Sequence, residues 1–403
     1  MEYICLNDIA KYKQGKQVSI DKQHSTCLDG MVRFVRIVDY TNSNEMPRYI
    51  ENLGQQYIVD EKSIVMIRYG SQTAGKVVRG ISGIIANNMF QISIDDDRFD
   101  NDYMYYFLSS SVVNQLLMGG QSSSTMPAIT FGMLKQIQVP VRSIDEQRKI
   151  ASFLESIDKK IENNNKINDN LQLQLTAIFR EWFIDAPKSA EWPRGTFADL
   201  IDHTISGDWG KDAPTGNYTE MVYCIRGADI PEVKAGNKGK MPTRYILPKN
   251  YAAKKLVDGD IVVEISGGSP TQSTGRAAPV SESLLRRYDR GMVCTNFCKA
   301  IKPKRGYSMF VYYYWQHLYD AGVFFGYENG TTGIKNLDIT GFIETEEIVL
   351  PPLDIVERFD TICQTIASKV YANGLENERL ANLRDTLLPK FMTGEVDISS
   401  IQI

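Results

Sequence analysis

Apolar residues recur at helical spacing through residues 143–183, a stretch that contains no proline or glycine. Alternating steps of four and three residues from Ile150 reach Leu154, Ile157, Ile161, Asn164, Asn168, Leu171, Leu175, Ile178 and Trp182. This is the spacing of a coiled-coil seam. The pattern predicts one long helix that packs along this seam against a second helix.

A related helical segment lies 209 residues further along the chain. The matching seam positions are Phe359, Cys363, Ile366, Val370, Asn373, Asn377, Leu380, Arg384, Leu387 and Phe391. Polar residues in a seam cost stability but fix register. In an antiparallel pair, Asn164 would face Asn377 and Asn168 would face Asn373. The alternative is that these asparagines are exposed and the helix curves past them.

The predicted pairing residues are Ile157, Ile161, Asn164, Asn168 and Leu171 of the first helix, and Ile366, Val370, Asn373, Asn377 and Leu380 of the second. The second helix contains Gly374, a poor helix former, and places Arg384 at a seam position. We therefore expect that helix to be the weaker of the two.

The segments before the two helices also repeat each other. The strand-like run "VRFVRIVDYTN" returns as "VYCIRGADIPE", and "KSIVMIRYGSQTAGKVVRG" returns as "GDIVVEISGGSPTQSTGR". The pattern predicts an α+β fold with two tandem mixed α/β domains, separated and followed by long helices that pair as an antiparallel coiled coil. The predicted boundaries are a first domain at 1–142, a central helix at 143–186, a second domain at 187–350 and a C-terminal helix and tail at 351–403.

Polar residues, a small residue, glycine and a basic residue follow one another in both loops, "SQTAGK" and "TQSTGR". Arginine and lysine contact phosphates and guanine, glutamine matches adenine, and glycine lets a backbone approach a groove. Polar loops with a glycine are common, but two copies in register favour DNA contact. The candidate DNA-binding residues are Arg36, Ser71, Gln72, Thr73, Lys76, Arg79, Arg226, Gln272, Ser273, Thr274, Arg276 and Lys335.

Charge is distributed unevenly along a chain whose formal net charge is −4. Residues 220–305 carry sixteen Lys and Arg against eight Asp and Glu, and residues 11–79 carry eleven against seven. Basic regions of this kind suit an acidic partner such as DNA. No long apolar run or signal peptide is present, so we expect a cytoplasmic protein without a membrane span.

Catalytic and metal motifs are incomplete. "GSQTAGKV" is close to a phosphate-binding loop, but Val77 replaces the Ser or Thr that would bind Mg²⁺, and a β-branched run follows where a helix should begin. Cys294 and Cys298 are the only closely spaced cysteines of six, and three histidines are too few to favour zinc. We expect reduced, mostly buried thiols and no active site in this chain.

The layout and several motifs resemble the DNA-specificity subunits of type I restriction-modification systems. The motifs are "GSQTAGK", "VPVRSIDEQRKIASFLESIDKKI", "IFREWFID", "LPPLDIVERFDTI" and "LRDTLLPKFMTGEVDI". Together they cover nearly the whole chain. One departure concerns the helix starts, where Ile355 and Val356 replace the acidic residue and glutamine of "DEQRKI".

The resemblance implies a non-catalytic subunit in which each domain reads one half of a split, asymmetric site in double-stranded DNA. Two methyltransferase subunits and the restriction subunits, which supply motor and nuclease, would be its partners. No cofactor is expected in this chain; S-adenosylmethionine, ATP and Mg would bind to the partner subunits.

The helix length limits the distance between the two half-sites. From Ile150 to Trp182 is roughly 48 Å at about 1.5 Å per residue, which corresponds to on the order of fourteen base pairs. Inserting one heptad into a single helix should therefore disrupt recognition or change the gap.

Three alternatives stay open at this point. A methylation-only system would use the same subunit without a nuclease. A coiled-coil scaffold with ligand-binding β domains would have no affinity for DNA. A phosphate-binding-loop enzyme would bind ATP at "GSQTAGKV".

Overall fold

The computed structural model of the protein describes residues 2–42, 45–119, 127–268, 272–330 and 334–398. The chain forms two compact units, one made of Met1–Lys159 with Leu380–Ile403 and the other of Lys160–Arg379. Each unit therefore contains one globular domain and a part of both long helices. Thr271, the first residue of the predicted "TQSTGR" loop, lies outside the described residues.

The described part of the first unit contains two four-stranded sheets and a two-stranded ribbon. In hydrogen-bonded order, one sheet consists of Ala10–Gln14, Met89–Ile94, Ile64–Ile67 and Val77–Val78, all antiparallel. The other consists of Arg48–Glu51, Met31–Val35, Gly83–Ile85 and Ile58–Val59, with the central pair parallel. Tyr3–Cys5 and Gln138–Pro140 form the ribbon.

The second unit repeats this arrangement. Its antiparallel sheet consists of Ile201–Ser206, Cys298–Pro303, Ile261–Glu264 and Ala277–Pro279, in the same strand order as in the first unit. Its mixed sheet consists of Thr243–Ile246, Glu220–Ile225 and Met292–Cys294. A ribbon pairs Arg194–Thr196 with Glu347–Val349, and a further sheet contains Ser266–Gly267, Lys335–Leu337 and Glu328–Asn329. The matching strand orders confirm the duplication.

Short helices connect the strands. Those of the first unit are Leu6–Ile9, Ile37–Thr41, Asn101–Ser109, Ser111–Gly119 and Phe131–Leu134. Those of the second are Ile230–Lys234, Pro248–Lys254, Glu282–Leu285, Ser308–Asp320 and Ile339–Thr345. Single 3₁₀ turns occupy Ile20–Lys22, Gln55–Tyr57, Pro187–Glu191, Phe197–Asp199, Gly227–Asp229 and Val323–Tyr327. The aromatic helix Ser308–Asp320 belongs to the hydrophobic core of the second unit, because Tyr312, Tyr313 and Trp315 are all buried.

The two long helices are Ile144–Phe179, here called the central helix, and Leu353–Thr393, the C-terminal helix. One π-helical turn, Arg180–Ile184, follows the central helix. With these helices and the mixed domains, the predicted fold class is confirmed.

The four seam asparagines are buried and bonded to one another in the second unit. Asn164 Nδ2 donates to Asn377 Oδ1 at 2.9 Å, and Asn373 Nδ2 donates to Asn168 Oδ1 at 2.8 Å. The later residue of one helix meets the earlier residue of the other, so the helices run antiparallel here. This is the facing arrangement that the seam spacing predicts. The other pairing positions are buried or half-buried: Ile157, Val370, Ile161, Leu171, Ile366 and Leu380.

Each unit buries its helix segments in a different way. In the second unit, Phe179 of the central helix and Phe359 of the C-terminal helix join an aromatic core with ring centroids 5.8 Å apart. In the first unit, Arg384 Nη1 donates to Asp158 Oδ1 at 2.7 Å, and Tyr106 Oη donates to Asp158 Oδ2 at 2.8 Å. Arg384 therefore has a partner on the facing helix.

Gly374 lies where the C-terminal helix meets the second domain. A Cβ atom at this position would lie 2.0 Å from the carbonyl oxygen of Gly236. The helix continues through Gly374 and Arg384 without a break. That this helix is the weaker of the two stays a prediction, while Gly374 allows the close approach of Gly236 and Arg384 pairs with Asp158.

The residues that differ between the two helix starts, Gln147 and Val356, each contact their own domain. Gln147 is buried, donates to the carbonyl oxygens of Arg98 and Arg142, and accepts from the backbone N–H of Asp100. Its repeat partner Val356 is fully buried in the apolar core of the second unit. Each residue therefore anchors its helix to its own domain.

Candidate nucleic-acid interface

The loop of the first domain, Gly70–Gly75, connects strands Ile64–Ile67 and Val77–Val78. Backbone bonds close it, since Gly75 N–H donates to Ile67 O at 2.9 Å and Ile67 N–H donates to Lys76 O at 2.9 Å. Gly75 has a φ of +79°, a conformation that favours glycine. A strand follows the loop, so no helix N-terminus faces it as in a phosphate-binding loop.

The loop of the second domain is closed by the same backbone bonds. Gly275 N–H donates to Glu264 O at 2.8 Å, and Glu264 N–H donates to Arg276 O at 2.9 Å. Gly275 also has a positive φ, +98°. The matching bonds pair Lys76 with Arg276, as the sequence alignment does, and they also pair Ile67 with Glu264.

Side chains of the first loop face solvent. Ser71, Gln72 and Lys76 are exposed, and Thr73 Oγ1 donates to Tyr69 O at 2.9 Å within the loop. Among the described residues, the Lys76 ammonium has no hydrogen bond or ion pair. An unpaired cation on an exposed loop is available for an anionic partner.

Arg276 in the second loop has an internal partner. Its Nε and Nη2 atoms each donate to a carboxylate oxygen of Glu264 at 2.7 Å, and the two side chains are 24% and 9% exposed. These hydrogen bonds raise the pKa of the arginine above its usual value. The guanidinium is thus fixed in one orientation while part of it reaches solvent.

Thr274 of the second loop is buried and bonds to a second carboxylate. Thr274 N–H and Oγ1 both donate to one carboxylate oxygen of Glu328, at 2.6 and 2.9 Å, and Lys335 donates to the other oxygen at 2.7 Å. Burial alone would raise the pKa of Glu328, but the bonds from Lys335 and Thr274 lower it on balance. Ser273 is also buried, whereas Gln272 is exposed. Two of the candidates, Thr274 and Lys335, therefore bind the Glu328 carboxylate inside the domain.

Arg36 and Arg226 form the same capping structure in both domains. Each backbone N–H and Nε donates to a buried carboxylate three residues later, that of Asp39 or Asp229. Each Nη2 also donates to a carbonyl oxygen further along the chain. This geometry explains the repeated Arg and Asp without DNA, and it assigns both arginines a structural role.

Arg79 is likewise engaged inside the first unit. Its guanidinium pairs with Asp102 and lies 3.9 Å from the centroid of the Tyr105 ring. The side chain is 17% exposed. It packs the end of a strand onto the helix Asn101–Ser109 and has little surface left for a ligand.

Glu264 is the functional candidate that the sequence reasoning missed. It ends the apolar run "IVVE", which looks like an ordinary buried strand. The available signal was its repeat partner, because the matching position in "IVMI" is an isoleucine. A carboxylate in one copy and an apolar residue in the other marks a side chain that the shared fold does not require.

The part of the chain that the structure describes has neither a metal-binding cluster nor a membrane-spanning helix. The described residues contain no group of three or more His, Cys, Asp or Glu arranged to hold a metal ion. Burial raises the pKa of Cys224 and Cys298 to about 12, which keeps both as thiols. In the described ranges, no helix has the length and apolar character of a membrane span.

Comparison with known proteins identifies relatives. A family model described as the type I restriction modification DNA specificity domain matches residues 1–173. The MjaIX specificity subunit of the type I restriction enzyme of Methanocaldococcus jannaschii is 25% identical over 347 residues, 81% of this chain and 76% of that protein. The MjaVIII specificity subunit of the same organism is 23% identical over 282 residues, 66% and 63% respectively.

A solved structure shares the fold. The S subunit of a type I restriction-modification system from M. genitalium superposes with a TM-score of 0.53, 15% sequence identity and coverage of 97% of this chain and 96% of that one. This structure shows the fold alone, while the family model and the curated relatives confirm the resemblance inferred from the sequence motifs. Residues 1–173 thus match the DNA specificity domain of type I restriction-modification systems, and most of the chain is similar to specificity subunits of such systems.

Proposed function

We propose that this chain is the sequence reader of a type I restriction-modification complex and that each domain recognises one half of a bipartite DNA target. The duplication is the observation that carries the proposal. Two domains with the same strand order place a loop with the same backbone closure between equivalent strands. The first loop offers the unpaired cation Lys76, and the second offers the partly exposed guanidinium of Arg276.

The two loops carry different side chains on a shared scaffold, which supports reading of two different half-sites. Identical loops would favour a symmetric target. Lys76 and the unpaired edge of Arg276 remain the candidates for direct contact, together with the exposed Ser71, Gln72 and Gln272. Arg36, Arg226 and Arg79 serve the domains that present these loops.

In this proposal the paired helices set the gap between half-sites. The central helix has 36 residues, roughly 54 Å at about 1.5 Å per residue. The buried asparagine pairs support a fixed register, because a slipped register would leave their amides unpaired in an apolar seam.

The partners follow from the same arrangement. Two similar domains and two related helices offer two similar docking surfaces, which suits two copies of a methyltransferase subunit. That subunit would supply S-adenosylmethionine and the methyl transfer, and a restriction subunit would supply ATP- and Mg-dependent cleavage. This chain would contribute recognition and no catalytic group.

Co-expression with the methyltransferase gene adjacent to it in the genome tests this proposal. We expect a stable complex that protects two separated half-sites in a nuclease footprint on duplexes selected from genomic DNA. A complex that assembles but selects no DNA would support a scaffold and overturn the proposal. Footprints with one continuous protected block would contradict bipartite reading.

A further inference from the structure

Two positions in the domains have changed together between the copies. In the first domain, Ile37 and Ile67 lie in the same apolar cluster. Their repeat partners in the second domain are Gly227 and Glu264. A Cβ atom at Gly227 would lie 2.3 Å from Glu264 Oε1, so the absence of a side chain there makes room for the carboxylate. The second domain has exchanged an apolar contact for a carboxylate in a fitted space.

That carboxylate determines which edge of Arg276 is free. Nε and Nη2 form one lateral edge of the guanidinium, and both donate to Glu264. The described residues give Nη1 no partner. The terminal edge, formed by Nη1 and the second hydrogen of Nη2, therefore keeps two donors side by side.

Two parallel donors match one base in particular. Guanine presents O6 and N7 as adjacent acceptors in the major groove, and arginine binds them through two donors. Adenine offers a donor beside its acceptor and cannot accept both hydrogens. An arginine already fixed by a carboxylate also loses less side-chain freedom on binding.

We propose that Glu264 is a positioning residue that fixes Arg276 for recognition of a guanine in the half-site read by the second domain. This inference rests on the proposed function and names one base of the half-site read by the second domain. Lys76 differs, because a flexible ammonium without a partner acts as a point charge and suits a phosphate. The two domains would thus use equivalent positions for different purposes.

The test is selection of bound sequences from a randomised duplex library by the full chain in complex with its methyltransferase. For the unchanged chain, we expect one position in one half-site to require guanine. Arg276→Gln should relax that position by roughly 5- to 150-fold, the range for one bidentate contact. Arg276→Lys should also relax the preference for guanine at that position. The salt dependence should stay the same, because lysine retains the positive charge but lacks the two parallel donors of the guanidinium.

Two further variants probe Glu264 while leaving Arg276 in place. Glu264→Gln removes the carboxylate charge, and Gly227→Ala pushes the carboxylate away. Both should relax the same guanine position as Arg276→Gln and leave the other half-site unchanged. Agreement among the variants would indicate positioning, since loss of folding would weaken all positions together.

A matched control is Asp260→Asn, which weakens the ion pair with Lys302 next to the opposite end of the same strand. It should lower the unfolding temperature without changing any base preference. If Arg276→Gln weakens all sequences equally, or changes nothing, the inference is overturned while the proposed function stands. If the unchanged complex selects no sequence, the proposed function itself fails.

Discussion

The two repeated loops are closed by the same backbone hydrogen bonds and differ in their side-chain chemistry. Lys76 and Arg276 occupy the same place between equivalent strands. The lysine is exposed and has no partner among the residues that the structure describes, whereas the arginine is fixed by Glu264. The difference originates in the strand, where Ile67 stands in one copy and Glu264 in the other. A duplicated fold can thus diversify at a buried position behind the loop as well as on the loop itself.

The seam asparagines show a second difference between the copies. Asn168 donates to Ala235 O of the second domain and to Val370 O, both at 3.1 Å. Its repeat partner Asn377 donates to the side chain of Asn165 at 2.8 Å. The position that matches Asn165 is Gly374, where the second domain approaches closely. Asn168 therefore links the helix pair to the second domain, whereas Asn377 bonds only within the helix pair among the contacts described.

The largest expected effect comes from introducing a carboxylate into the first domain. Ile67 is fully buried, so Ile67→Glu places a charge in an apolar cluster without a partner. We expect the free energy of unfolding to fall by about 3–5 kcal/mol, against about 0.5–1.5 kcal/mol for Ile67→Val. Denaturant unfolding measures both. Adding Ile37→Gly and Lys76→Arg should recover part of the loss; equal stability of the Glu and Val variants would contradict the comparison.

Removing a seam asparagine should cost less. Asn168→Ala removes the bonds of this side chain to the Asn373 amide and to two backbone carbonyls in a buried site, which should cost about 1–3 kcal/mol. The control Asn165→Ala affects an exposed residue whose place water can take, and about 0.5 kcal/mol is expected. Thermal unfolding of the two variants under the same conditions compares the two losses of stability. A larger loss in the control would refute the anchoring role of Asn168.

Gly374 should be intolerant of a methyl group. Gly374→Ala would bring Cβ to 2.0 Å from Gly236 O, so backbone must shift, at a cost of about 1–3 kcal/mol. Gly132→Ala is the matched control, since its nearest neighbour atom would be 3.8 Å away. That control should be neutral or slightly stabilising, because alanine restricts the unfolded chain. A stabilised Gly374→Ala protein would show that the contact is not close.

The smallest expected effect concerns the charge of Lys76. Lys76→Ala should leave stability unchanged and reduce the slope of log affinity against log salt by about one, the contribution of one phosphate contact. Arg98→Ala removes a positive charge that is already paired with Asp96 and should change the slope less. DNA titrations at several salt concentrations measure both. An unchanged slope for Lys76→Ala would remove that residue from the interface.

Much of the fold was predictable because the local spacing of apolar residues determines it. The heptad seam gave both helices and the asparagine partners, and the repeated strand motifs gave the duplication. The loops were also located correctly between strands, as the β-branched residues after Lys76 indicated.

The site residues were harder to predict because ion pairs depend on contacts distant in sequence. Arg79 meets Asp102, and Lys335 meets Glu328, through strand and helix packing that no local pattern records. Arg36 and Arg226 recur at matching positions of the two copies, which favoured DNA contact, although an Asp three residues after each one is also typical of a cap. Glu264 escaped notice since a single acid at the end of an apolar strand carries no periodic signal.

The most direct test of the central claim is single-molecule sequencing of DNA methylated by this chain with its methyltransferase, with and without a heptad inserted into one helix. The account predicts a split motif with two defined halves and a fixed gap, and an insertion that lengthens the gap or abolishes methylation. A continuous motif, or a split motif whose gap and sequence are unaffected by the insertion, would contradict it.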